Sequence, residues 1–322
     1  MSERPPRTGF VAAGVVTAVV GLGVAGATVV VERGRAAEAE RDAASRATVE
    51  LGRRLIRDTG ALLGPSHTDP EQRYSGTHMA CASCHLETGT SPGTLSLLVA
   101  APKYPSFSGR EGRDRDLKDR INGCMQRSMN GRPLPRDSVE MLAMEAYIRQ
   151  LGGEHAVMGE TRKAADEQPP FREPDRRADP EAGRAVFDSR CAVCHGADGL
   201  GLLANGDPAG GYLFPPLWGP ESYNDGAGMH RVLTAARFLK AKMPLGEADL
   251  TDDEAFDVAA YINSQPRPAM SGLEVDYPDR ATKPIDSPYP PYADPFPRDQ
   301  HQFGPFRPIR EYYERLKTSG SR

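Results

Sequence analysis

Two copies of Cys-x-x-Cys-His constrain this chain more than anything else in it: Cys81-Ala82-Ser83-Cys84-His85 and Cys191-Ala192-Val193-Cys194-His195. The spacing is demanding, because it sets two thiols to form thioethers with both vinyl groups of a haem while the next residue turns its imidazole onto the iron. One such motif could arise by chance or serve thiol chemistry. Two, each preceded by helix-like sequence and followed by a Gly-containing loop, predict two covalently bound haem c groups. Cys81, Cys84, Cys191 and Cys194 are then the attachment points, with His85 and His195 as proximal ligands. A length of 322 residues suits one modest domain per haem plus linkers and tails. With 33 Gly and 29 Pro, the cores must be compact.

The expected architecture is all-α: two cytochrome c class I-like domains, an N-terminal transmembrane helix and a Pro-rich C-terminal tail. The uncharged run Phe10 to Val31, rich in Val, Ala and Gly, just spans about 30 Å of hydrocarbon at roughly 1.5 Å per residue. Residues 1–35 are therefore read as a membrane anchor, or as a signal segment cleaved near Ala25-Gly26-Ala27. Haem attachment to this motif outside the cytoplasm points to the same place, the periplasmic face of the bacterial inner membrane. Residues 36–151 form the first haem domain, closed by a helix over Ser138 to Leu151, and the polar segment 152–178 is the linker. The second domain, 179–265, opens on an Asp179 cap with Pro180 at the first helical position. It closes with a helix capped by Thr251 and Glu254. Residues 266–322 form an extension whose many Tyr and Phe predict packing on the domains, helical only over Ile309 to Lys317. No stretch alternates well enough to predict a strand. A formal net charge of -4 without a dense Lys or Arg run excludes a nucleic-acid surface.

The distal ligands must come from further along each domain. In the second, Lys242-Met243-Pro244 lies between the haem motif and the final helix, so Met243 is the expected ligand, with Lys242 able to exchange for it. In the first, Cys124, Met125 and Met129 could all reach the iron. Cys124 is the fifth Cys, unpaired in an oxidising compartment. As a thiolate ligand it would suit a site that reacts with sulfur better than a passive carrier. Arg110, Arg113, Arg115, Arg120, Arg127 and Arg132 surround it in sequence, a composition for binding oxyanions.

At these residues the chain resembles the dihaem thiosulfate dehydrogenases. The resemblance rests on Tyr74-Ser75-Gly76 before the first haem motif, on Arg110-Glu111-Gly112-Arg113 leading to Arg120-Ile121-Asn122 and Cys124, and on Arg127-Ser128-Met129-Asn130-Gly131. It continues through Phe214-Pro215-Pro216-Leu217-Trp218-Gly219-Pro220, Gly226-Ala227-Gly228-Met229, Lys242-Met243-Pro244 and Gln302-Phe303-Gly304-Pro305-Phe306. It implies a catalytic haem held by His85 and Cys124 and an electron-transfer haem held by His195 with Met243 or Lys242. It further implies coupling of two thiosulfates to tetrathionate, reversible in principle, with electrons passed to a cytochrome or terminal oxidase. Arg110, Arg113, Arg120 and Arg127 would then hold sulfonate groups, with Ser128 as a neutral donor. Two other readings compete. A membrane-tethered dihaem electron carrier predicts Met125 or Met129 as the first distal ligand. A haem enzyme passing sulfur to a carrier protein, like the haem subunits of the sulfur-oxidation complex, would need a partner surface.

Overall fold

The computed structural model describes residue 35 and residues 38–157 and 170–319. It divides into two compact units, Met1–Thr48 and Val49–Arg322, and both haem motifs lie in the second. Among the described residues no helix is long and apolar enough to cross a membrane. The apolar run 10–31 lies outside them, as do residues 158–169 of the expected linker.

Each haem motif follows helical sequence and precedes two longer helices. In the first domain, helix α1 (residues 38–57, with 49–57 in the second unit) and α2 (Thr59–Leu63) come before the motif; α3 (Leu117–Arg127) and α4 (Val139–Val157) come after. In the second, α5 (Pro180–Val186) runs into the motif through a wide turn, Phe187–Cys191; α6 (Val232–Lys242) and α7 (Asp252–Ser264) follow. The expected caps are present. The Asp179 side chain accepts from the amides of Glu181 and Ala182, and Thr251 and Glu254 form the reciprocal pair ahead of α7. The closing helix of domain one is longer than the sequence suggests, continuing to Val157. Its Met141 and Met144 are fully buried, whereas Leu142 faces out.

Both domains bring an early helix against a late one at a glycine. A Cβ on Gly52 of α1 would stand 2.0 Å from the carbonyl oxygen of Ala143 in α4, and one on Gly183 of α5 the same distance from that of Asp257 in α7. No side chain fits there, so the backbones touch. Helix propensity alone favours Gly183→Ala by about 1 kcal/mol, but forcing the backbones apart costs about 3 kcal/mol or more. The clash dominates. Gly183→Ala should therefore lower the denaturation midpoint of the second domain, followed by its haem absorbance; an unchanged or raised midpoint would refute the close crossing.

The described chain is helix-rich, but the expectation of no strand needs correction. Two antiparallel ribbons are present: β1 (Ser106–Ser108) pairs with β2 (Arg113–Arg115), and β3 (Leu202–Leu203) with β4 (Tyr212–Phe214). At two or three residues each, these strands are too short to show alternation.

The extension is more helical than the sequence suggests, with α8 (Arg298–Phe303) and α9 (Arg307–Ser319). Phe306 and Ile309 are fully buried in the second domain's core. The two haem domains are also bound directly. Glu221 accepts from both the backbone amide and Nδ1 of His78, at 2.8 and 2.9 Å. The Asn224 amide donates to the Gln126 carbonyl and to Asn130 Oδ1.

Candidate active site

Helix α3 carries Arg120, Cys124 and Arg127 on one face, with Ser128 as its C-terminal cap. The adjoining face buries Leu117, Ile121 and Met125 in the domain core. That division turns Cys124 into a cavity of about 570 Å³ whose wall also holds Cys81, Cys84 and His85. Of the three candidate distal ligands, Cys124 shares the cavity wall with His85 and bonds Arg120 there. Met125 and Met129 also border the cavity but pack into the core, 1% and 3% exposed.

Arg120 lies one turn before Cys124, and its Nη1 donates to the sulfur at 3.0 Å. Burial pushes the Cys124 thiol up, but the Arg120 charge, the adjacent His85 and Arg115 outweigh it and bring the thiol down to about 6. The motif cysteines go the other way. Burial drives Cys81 up to about 12, even though the Thr59 hydroxyl donates to its sulfur, and Cys84 to about 11. The surroundings thus favour the charged form at Cys124 and the neutral form at Cys81 and Cys84.

The arginines separate by environment. Arg113 is a correction to the sequence reading: it sits on the outer edge of β2, half-exposed and paired with Asp119, away from the cavity. Arg132 is also outside, stacked on Tyr74. Arg115 lines the cavity with its charge matched by Glu111 at 2.9 Å, Arg127 is matched by Asp276 at 2.8 Å, and Arg231 by Asp286. Arg110 and Arg120 line the cavity and, among the described residues, have no carboxylate ion pair. Arg110 instead donates to the Gly226 carbonyl and to the Tyr277 hydroxyl. Ser128 lines the same space. Asp276, Tyr277, Tyr223 and Arg231 come from the second domain or the extension; no local motif marks them.

In both haem motifs the histidine Nδ1 bonds a backbone carbonyl: His85 to Leu95 at 2.6 Å, His195 to Pro215 at 2.7 Å. That places the proton on Nδ1 and leaves Nε2 free to bind metal. Burial also holds His195 below its ordinary pKa. Around the second motif Trp218, Phe187 and Tyr261 pack as a tilted aromatic cluster. Met243 caps α6 and packs against this domain's core, while the Lys242 ammonium reaches into the first domain, donating to Ser91 Oγ at 2.9 Å and to the Pro92 carbonyl at 2.6 Å.

The donor set fits haem. Paired thiols, a free imidazole nitrogen and a thiolate share one cavity. Arg267, stacked on the cavity residue Tyr223, has buried Nε and Nη1 atoms without partners among the described residues, a deficit that a propionate would satisfy.

Comparison with known proteins agrees. A family model for the SoxA/TsdA cytochrome c domain matches residues 71–157, and one for cytochrome c matches 180–266. The thiosulfate dehydrogenase of Allochromatium vinosum is 40% identical over 232 residues, covering 70% of this chain and 81% of its own length. The chain belongs to the dihaem thiosulfate dehydrogenase family. The thiosulfate dehydrogenase of Stutzerimonas stutzeri is 39% identical over 221 residues, 68% of this chain and 67% of the relative. A solved structure of thiosulfate dehydrogenase (TsdBA) from Marichromatium purpuratum, in its as-isolated form, matches with a TM-score of 0.60 at 40% identity. It covers 69% of this chain, which spans 46% of that longer one. As a member of this dihaem family the protein carries two covalently bound haem c groups, one for each cytochrome domain, which places those domains outside the cytoplasm.

Proposed function

We propose that this protein oxidises thiosulfate, joining two molecules into tetrathionate, at the site around Cys124. The observation that carries this reading is the Cys124 sulfur, 3.0 Å from the Arg120 guanidinium in a cavity it shares with a haem-attachment motif. His85 and Cys124 would hold the first iron, and His195 with Met243 the second. When bound, the two haems supply one-electron acceptors and pass electrons to an external cytochrome or oxidase.

Two dianions repel, so a site that joins them must supply positive charge. Arg110 and Arg120 do so, since the other cavity guanidiniums are matched by carboxylates. Ser128 adds a neutral donor. The Cys124 thiolate takes the sulfane sulfur of the first thiosulfate, forming one S–S bond with loss of two electrons. The second thiosulfate then attacks that sulfane sulfur, forming the central bond of tetrathionate and returning Cys124 as thiolate. The same residues serve the reverse cleavage. The apolar run 10–31 tethers the enzyme to the inner membrane, facing the periplasm.

With ferricyanide as acceptor, the dihaem protein should convert thiosulfate to tetrathionate, and its oxidised form should show the near-infrared band of thiolate rather than thioether ligation. No product together with a thioether band would favour the electron-carrier reading.

A further inference from the structure

Beyond the second haem domain, the extension returns to the arginines of the first. Asp276 matches Arg127 at 2.8 Å, and the Tyr289 hydroxyl donates to the other Asp276 oxygen, also at 2.8 Å. The next residue, Tyr277, donates its backbone amide to the Arg110 carbonyl at 2.7 Å. Its side chain lines the Cys124 cavity while only 6% exposed. Arg110 holds that side chain twice: the guanidinium carbon is 5.6 Å from the ring centroid, and Nε donates to the phenol oxygen at 3.4 Å.

The backbone of Tyr277 has φ +60, a left-handed conformation that a bulky residue adopts at a cost of about 1–3 kcal/mol. Arg280 enforces it, donating to the carbonyls of both Asp276 and Tyr277. A glycine would take this backbone conformation without strain. What the strain achieves is to set a phenol in a cavity beside Arg110, which lacks a carboxylate partner. A phenol oxygen that accepts from Arg110 keeps its own O–H to give, and the ligand of this cavity is an oxyanion.

We propose that Tyr277 is a substrate-binding residue whose hydroxyl donates to a sulfonate oxygen of thiosulfate held at Arg110, with Asp276 as a positioning residue that fixes Arg127 beside it. This rests on the thiosulfate reading above and extends the active site into the C-terminal extension. The test is Tyr277→Phe in the full-length dihaem protein, which keeps the ring against Arg110 and removes only the hydroxyl. The dissociation constant for thiosulfate, read from the haem spectrum, should rise about tenfold, the loss of one hydrogen bond to a charged ligand. Melting temperature and both haem midpoint potentials should stay at parent values. A dissociation constant within twofold of the parent overturns the proposal. A parent protein that neither binds nor turns over thiosulfate instead overturns the reading on which it rests.

Discussion

Cys124→Gly should retain both haems and lose turnover by about a thousandfold or more. On the proposed assignment the haems would be held through the four motif cysteines, so removing the fifth would leave attachment intact. The sulfur chemistry would have no substitute, because the same assignment commits Cys81 and Cys84 to haem attachment. Where a nucleophile is removed, the remaining rate comes only from binding and electrostatics. Thiosulfate-dependent ferricyanide reduction measures the loss, and disappearance of the near-infrared thiolate band checks its cause. Retention of most activity with that band gone would show that the sulfur of Cys124 takes no part in forming tetrathionate.

Arg120→Met should lower kcat/KM for thiosulfate by about 100- to 1,000-fold, the effect of removing one preorganised charged donor from an active site. Two consequences add. The cavity loses one of its two guanidiniums without a carboxylate partner, and Cys124 loses the charge that most strongly opposes the effect of burial. Arg120→Lys should recover part of the rate, since a point charge replaces the fork. Arg113→Met is the control, and kcat/KM should stay within about twofold of the parent because that side chain is half-exposed and held by Asp119. If Arg113 proved as important as Arg120, the assignment of charges by cavity position would be wrong.

That contrast shows how far the sequence could be read. The haem motifs, the Asp179 and Thr251 caps and the isolation of Cys124 are local signals, each legible within a few residues. Which arginine faces the cavity is not local. Arg113 and Arg115 stand two apart, a spacing that would put both on one face of a regular strand, yet on this three-residue strand Arg113 pairs outside with Asp119 and Arg115 lines the cavity against Glu111. Met125 and Met129 looked equivalent to Cys124 as ligands because the sequence alone does not show that Met125 on α3 and Met129 just past its end turn into the core. Gly52 and Gly183 carry no motif; their meaning comes from backbones distant in sequence. Asp276 and Tyr277 lie in a stretch that reads as irregular, and only the folded chain brings them to Arg127 and Arg110.

The hydrogen bonds from Arg110 to Gly226, from Asn224 to Gln126 and from Arg127 to Asp276 have a consequence for anyone who would treat this protein as two interchangeable cassettes. A fragment ending at the closing helix of the first domain would carry a haem and the reactive sulfur, yet leave Arg127 without its counter-charge and the cavity without Tyr223, Met229 and Tyr277. Grafting that fragment onto a foreign electron-transfer domain would therefore transplant a pigment rather than an enzyme, unless the returning C-terminal segment travelled with it.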